Sequence, residues 1–157
     1  MKRYILLLIF SFSMLLGFSQ KTQRQQMRDA EKVAVNWLNK LNNKQYAACW
    51  DMFSETAQKL TNYKEWHAYF NMELMPDLGD FISRKYYLAE MEKEIKGLPK
   101  GVYVTVRYQS QYTNTNTVEE IIKLSQNEIG VWKIGRYDVE YELKGDNGEL
   151  PKSKLKN

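Results

Sequence analysis

Apolar side chains recur every three or four positions in three successive segments of the first half of the chain, which is the period of an amphipathic helix. Thr22 precedes the first segment as a capping residue, Thr61 or Asn62 starts the third, and Asn42-Asn43 can cap the second. The pattern therefore predicts three helices. Their apolar positions are Ala30, Val33, Ala34, Trp37, Leu38 and Leu41, then Tyr46, Cys49, Trp50, Phe53, Ala57 and Leu60, then Tyr63, Trp66, Phe70 and Leu74.

The second half of the chain alternates apolar and polar residues, as strands with one solvated face do. The alternation is strict from Val102 to Tyr112. A polar turn at residues 113–116 follows, and Val118 to Leu124 returns as the hairpin partner. Ile129 to Tyr141 predicts a further strand, and Phe81 to Met91 another with a less regular pattern. About four antiparallel strands are therefore expected.

The last predicted strand changes the side on which its apolar residues fall. Trp132 and Ile134 share one parity, whereas Tyr137, Val139 and Tyr141 share the other. A one-residue switch at Gly135 is typical of a β-bulge, and bulges bend sheets. We therefore predict an α+β domain in which three N-terminal helices pack on a curved, about four-stranded antiparallel sheet.

The N-terminal sequence has the features of an export signal. Lys2 and Arg3 precede an apolar run from Ile5 to Leu16, and Gly17 and Ser19 are small residues at positions −3 and −1 of a cut before Gln20. The run is shorter than the about 20 apolar residues of a spanning helix. We expect residues 1–19 to be removed, leaving a periplasmic or secreted protein with no membrane span, a single domain over residues 20–143 and a flexible Lys-rich tail over residues 144–157.

Seven segments of the helices and strands share a recognisable order and spacing: AVNWL (34–38), YAACWDMF (46–53), TNYKEW (61–66), LGDFISR (78–84), PKGVYVTV (99–106), EIIKL (120–124) and WKIGRY (132–137). Together they resemble a bacterial family known as domain of unknown function 4019. The resemblance spans roughly residues 30–140, and the order and spacing of the tryptophans carry it. It implies a cystatin-like or nuclear-transport-factor-2-like fold and an exported protein, and it implies no activity and no catalytic residues.

Composition excludes several function classes. Without Lys2 and Arg3 the net charge falls from +4 to +2, and no clustered basic stripe remains for nucleic acid. One histidine and no cysteine pair leave only carboxylates as ligands, so no metal site is predicted, and no motif indicates a cofactor. Cys49 lies on the apolar side of its predicted helix and is expected to be a core residue rather than a reactive thiol.

Glu120 is the most unusual charge in the sequence. The alternation from Val118 to Leu124 places its carboxylate on the inward face, where an unpaired charge would cost several kcal/mol. Arg84, on an earlier predicted strand, is the best candidate partner. Three interpretations stay open: a structural ion pair, a pocket carboxylate that binds or deprotonates a ligand, and a solvated carboxylate on an edge strand.

Other residues complete the candidate site. Arg84, Glu120, Tyr137 and Trp50 are the candidate ligand-binding residues. Glu120 and His67, the only histidine, are the weak catalytic candidates, because related folds include isomerases and hydro-lyases that use a carboxylate or histidine as acid and base. A histidine at the border of an apolar helix face is more often a packing residue.

The prediction that follows is an exported, non-enzymatic module that holds an unidentified small ligand or protein on the concave sheet face or a sheet edge. A homodimer through that face is expected. Two alternatives remain: a small-pocket isomerase or hydro-lyase with Glu120 as base, and a structural envelope component whose Lys-rich tail contacts anionic lipid or polymer.

We expect the exported protein to begin at Gln20, because small residues at −1 and −3 favour cleavage there. Intact-mass measurement on protein recovered outside the host cytoplasm tests this. Recovery of the chain still beginning at Met1 would contradict it.

Overall fold

The computed structural model describes residues 22–145, which have an α+β architecture. The long helix α1 runs over Gln23–Asn42, followed by the short helices α2, Tyr46–Trp50, and α3, Glu55–Gln58. A continuous helical segment then comprises α4, Tyr63–Tyr69, a π-helical turn, Phe70–Leu74, and α5, Met75–Leu78. The predicted caps of the first and third helices are confirmed, since Thr22 Oγ1 accepts from the Gln25 amide at 3.2 Å and Asn62 Oδ1 from the Glu65 amide at 3.0 Å.

The second predicted helix is wrong in two respects. It is broken at Phe53, which forms a parallel bridge to Ile134: the Ser54 amide donates to the Ile134 carbonyl at 2.8 Å, and the Ile134 amide donates to the Met52 carbonyl at 2.9 Å. These backbone groups bind a sheet edge instead of continuing a helix. Asn43 caps the end of α1, and Gln45 rather than Asn42 or Asn43 precedes α2.

Four antiparallel strands form one sheet in the order β1-β2-β3-β4, which confirms the predicted strand count. They are β1, Phe81–Glu92, β2, Tyr103–Tyr112, β3, Thr115–Gln126, and β4, Trp132–Leu143. The predicted bulge is also confirmed, because Lys123 pairs with Arg136 and Leu124 with Ile134, which leaves Gly135 as the extra residue. β1 carries two further register shifts, one at each side of residues 83–86.

Helix α1 packs across all four strands and covers the inner face of the sheet. Trp37, fully buried, lies at the centre of this layer, and its ring contacts those of Phe53, Phe70 and Tyr137 at centroid distances of 5.7, 6.4 and 5.0 Å. Cys49 is fully buried, and its carbonyl accepts from Trp37 Nε1 at 3.1 Å. Burial raises the pKa of its thiol to about 12, so the expected core role of Cys49 is confirmed.

The predicted signal segment, residues 1–19, and the tail from residue 146 onward lie outside the described residues. Between residues 22 and 145, no helix combines the length and apolar character needed to cross a membrane.

Gly79 joins α5 to β1 in a backbone conformation that only glycine adopts readily, with φ 79° and ψ −154°. The turn between β2 and β3 packs directly against it. The Asn114 amide donates to the Leu78 carbonyl at 3.0 Å, and the Asp80 amide donates to Thr113 Oγ1 at 2.9 Å. A Cβ at Gly79 would overlap Thr113 Oγ1 and lie 2.7 Å from Asn114 Cγ.

Gly79→Ala should therefore destabilise the domain by about 3 kcal/mol, combining backbone strain with a steric clash. The matched control is Gly130→Ala, which has φ 78° but no atom within 4 Å of the added Cβ, and should cost about 1 kcal/mol. Urea unfolding of both variants measures the difference. Equal losses would show that the packing of the β2–β3 turn on Gly79 contributes nothing.

Candidate functional site

Glu120 lies on the inner face of β3, where the sequence places it, and its side chain is fully buried. In the ladder it stands opposite Tyr108 on β2 and Val139 on β4, so strands shield it on both sides. A carboxylate in this position is stable only if hydrogen bonds and an opposite charge replace water.

Four side chains supply those partners, two for each carboxylate oxygen. Oε2 lies 2.6 Å from Nε of Arg84 and accepts a short hydrogen bond from the hydroxyl of Ser110. Oε1 accepts from the hydroxyl of Tyr137 at 2.8 Å and lies 3.1 Å from the hydroxyl of Tyr112. All four lone-pair directions of the carboxylate are therefore occupied by protein donors.

Arg84 reaches Glu120 from β1 across the width of β2. Its backbone pairs with Ser110, and its side chain is only 7 % exposed. Nη2 donates to the Tyr112 hydroxyl at 3.2 Å, and the ring of Phe81 lies 4.7 Å from the guanidinium carbon. Burial alone would lower the pKa of Arg84, but the charge of Glu120 and its hydrogen bond outweigh this and raise the pKa. The predicted partner of Glu120 is thus confirmed.

Tyr112 connects this pair to the end of helix α1. Its hydroxyl lies 3.1 Å from both Asn42 Oδ1 and Glu120 Oε1, and the single proton of the hydroxyl favours the carboxylate as the stronger acceptor. Asn42 Nδ2 is buried, and it has no hydrogen-bond partner among residues 22–145. Burial and the charge of Glu120 raise the pKa values of Tyr112 and Tyr137, so both remain proton donors at neutral pH.

The chemistry of this cluster is that of a neutralised, fully hydrogen-bonded ion pair. Arg84 balances the charge of Glu120, and the three hydroxyl groups of Ser110, Tyr112 and Tyr137 complete its coordination. Because Glu120 is 0 % exposed and every lone pair is in use, it has no free position from which to accept a substrate proton. Tyr137, one of the predicted ligand-binding residues, is bonded into the same cluster.

His67 and Trp50 belong to a different part of the molecule. His67 stacks on Tyr63 at 5.6 Å between ring centroids and meets the edge of Tyr46 at 4.8 Å. Trp50 packs against Tyr63 and Trp66 at 5.8 and 5.7 Å. The structure therefore joins Arg84, Glu120 and Tyr137 in one cluster and places the other two candidates among the aromatic residues of the helices.

His67 also lines an open cleft of about 580 Å³ beside α2, with Lys44, Tyr46 and Tyr63 among its other lining residues. A second open cleft follows the outer surface of α1, from Arg28 to Asn39. Neither includes Glu120. Within the described part of the chain, residues 22–145, no group of three or more His, Cys, Asp or Glu side chains is arranged to hold a metal ion.

Sequence reasoning did not assign Ser110, Tyr112 and Asn42 to the cluster. The alternation along β2 already placed Ser110 and Tyr112 on the inward face, on the strand that adjoins Glu120, so a signal existed for these two. No such signal exists for Asn42, because its place depends on how the end of α1 docks against the sheet.

The chain belongs to the family described as a protein of unknown function, DUF4019, whose profile matches residues 33–137. This confirms the resemblance seen in the sequence. No curated protein and no solved structure matches the chain.

Glu120→Gln should lower the free energy of unfolding by about 3 kcal/mol, because it leaves the buried charge of Arg84 uncompensated. For a domain of this size that corresponds to a fall in Tm of about 10 °C. Thermal unfolding followed by circular dichroism measures it.

Glu119→Gln is the matched control on the neighbouring residue. Glu119 pairs with Arg107 at 3.0 Å on the outer face, where both side chains are at least one-third exposed, so its loss should change stability by less than about 0.5 kcal/mol. Similar Tm values for the two variants would refute a stabilising role for the buried pair.

Proposed function

We propose that this chain is an exported, non-enzymatic binding module of cystatin-like or nuclear-transport-factor-2-like fold, which holds an extended segment of a protein partner along the free edge of β1. The observation that carries this proposal is a cluster of large apolar side chains on that strand. Phe81, Ile82, Tyr86 and Tyr87, here called the edge patch, are 39, 56, 45 and 60 % exposed.

Two members of the edge patch, Phe81 and Tyr86, belong to the part of the inner sheet face that α1 does not bury. On β2 and β3 the inward side chains Val104, Val106 and Ile122 are fully buried, whereas Phe81 and Tyr86, opposite Tyr112 and Tyr108, remain about two-fifths exposed. The apolar surface available for binding is therefore the margin of the concave face on β1 and not the whole face. Exposed apolar clusters of this kind mark interaction surfaces.

β1 also offers backbone groups for pairing. Within the part of the chain that the structure describes, it is a terminal strand of the sheet and pairs only with β2. The other terminal strand, β4, is partly covered, because Met52 and Ser54 form backbone hydrogen bonds with Ile134. An extended peptide can add to such an edge through main-chain hydrogen bonds, while side-chain contacts give selectivity. The edge patch supplies apolar contacts for that purpose.

The geometry favours this function over an isomerase or hydro-lyase with Glu120 as base. Glu120 accepts hydrogen bonds at both oxygens from four side chains, and His67 stacks on Tyr63 in a separate cleft. A general base needs reach to a substrate proton and a free lone pair. The charged and apolar segments before Gln20 support export, and a role of the Lys-rich tail at the envelope concerns residues outside those described.

A photo-crosslinking benzoylphenylalanine at position 87, introduced in the native host, tests the proposal. Tyr87 is strongly exposed and lies at a register shift of β1, so the substitution leaves the core intact. We expect a covalent adduct with another polypeptide chain on illumination.

Position 60 is the matched control, because Leu60 is an apolar residue that is 82 % exposed and lies on the helical side of the molecule. It should give little adduct. Equal yields at the two positions, or no adduct from position 87, would overturn the proposed binding edge.

A further inference from the structure

We infer that the segment bound along β1 is the β1 strand of a second copy of this chain, so that two four-stranded sheets join into one continuous sheet about a two-fold axis. This inference rests on the proposed function and names its partner. The supporting observation is that β1 is complementary to itself: when two copies are aligned antiparallel, opposite charges face each other and inner-facing residues face inner-facing residues.

The side on which each residue of β1 lies follows from its partner on β2. Lys85 and Glu90 stand opposite Gln109 and Thr105 on the outer face, and Tyr86 and Ala89 stand opposite Tyr108 and Val106 on the inner face. The register shift at Tyr87 reverses the parity between the two halves of the strand. Two copies of such a strand can pair only in registers that place inner-facing residues opposite inner-facing residues and outer-facing residues opposite outer-facing ones.

Among the antiparallel registers that satisfy this condition, the one with the two-fold axis between Tyr87 and Leu88 also pairs opposite charges. It places Lys85 opposite Glu90 of the second copy, both on the outer face, and Tyr86 opposite Ala89 of the second copy, both on the inner face. Displacing the register by one residue would bring Lys85 opposite the inner-facing residue Ala89 or Met91. The register shift therefore excludes one-residue displacements, and the Lys85–Glu90 pairs favour this alignment over the one displaced by two residues, in which Lys85 faces Leu88.

Charge and size are both complementary in that register. Two Lys85–Glu90 pairs form per dimer, one on each side of the axis, and opposite charges directly across an antiparallel pair are stabilising. The half-exposed ring of Tyr86 faces the small side chain of Ala89, and Arg84 faces Met91. No like charges come to lie opposite each other among residues 84–91.

Charge reversal with rescue tests the inference. Lys85→Glu and Glu90→Lys each place like charges opposite each other twice per dimer and should raise the dimer Kd about tenfold. The double variant, Lys85→Glu with Glu90→Lys, restores both pairs and should return Kd to the wild-type value. Sedimentation velocity over a concentration series, on protein recovered from the exporting host, measures Kd.

Matched controls carry the same charge changes away from β1. Lys123 lies on the exposed outer face of β3, and Glu140 is an exposed residue of β4. Lys123→Glu and Glu140→Lys should each leave the dimer Kd within about twofold of the wild-type value. All four changed residues are exposed, so far-ultraviolet circular dichroism should remain that of the wild type.

The outcomes separate this inference from the proposed function. The second copy is not the partner if the chain stays monomeric at every concentration, or if neither charge reversal changes the Kd of the dimer. If position 87 then still crosslinks to a different polypeptide, the binding edge stands and its occupant is another protein. If position 87 gives no adduct either, both proposals fail.

Discussion

The buried ion pair between Glu120 and Arg84 is the constraint on which the rest of this structure depends. Taking both charges out of water costs several kcal/mol each, and only close geometry with further hydrogen bonds offsets that cost. The partners of Glu120 come from the other three strands, and one of them, Tyr112, also contacts the end of α1 through Asn42. A one-residue slip of β3 would turn Glu120 to solvent and Glu119 or Ile121 inward, so the pair disfavours alternative registers.

The bulge at Gly135 is what brings the core and the ion pair together. Trp132 and Ile134 face inward, so regular alternation would continue with Arg136 and Asp138 on the inner face. The extra residue turns Tyr137 inward instead. Its ring then packs on Trp37 at 5.0 Å while its hydroxyl donates to Glu120 at 2.8 Å. One side chain thus serves the apolar core and the buried carboxylate together.

The local sequence pattern was enough to predict the strands, the bulge and the Arg84–Glu120 pair, because the alternation of apolar and polar residues indicates on which face of the sheet each residue lies. It failed where tertiary contacts override local preference. The helix expected from Tyr46 to Leu60 breaks at Phe53, since the backbone there binds the edge of β4. Spacing along the chain does not determine whether His67 and Trp50 lie near Glu120, because the positions of these two residues depend on how the helices pack.

The same strand that supplies the buried arginine also presents the exposed edge patch, and the two features have one cause. The register shift beside Phe81 and the one at Tyr87 bracket Arg84, so its side chain can turn inward while two extra residues, Ile82 and Tyr87, remain at the surface. Bulges ordinarily protect an edge strand from indiscriminate pairing because they disturb its regular ladder. On β1 they leave apolar side chains exposed and admit few registers, which is the combination that a selective strand partner requires.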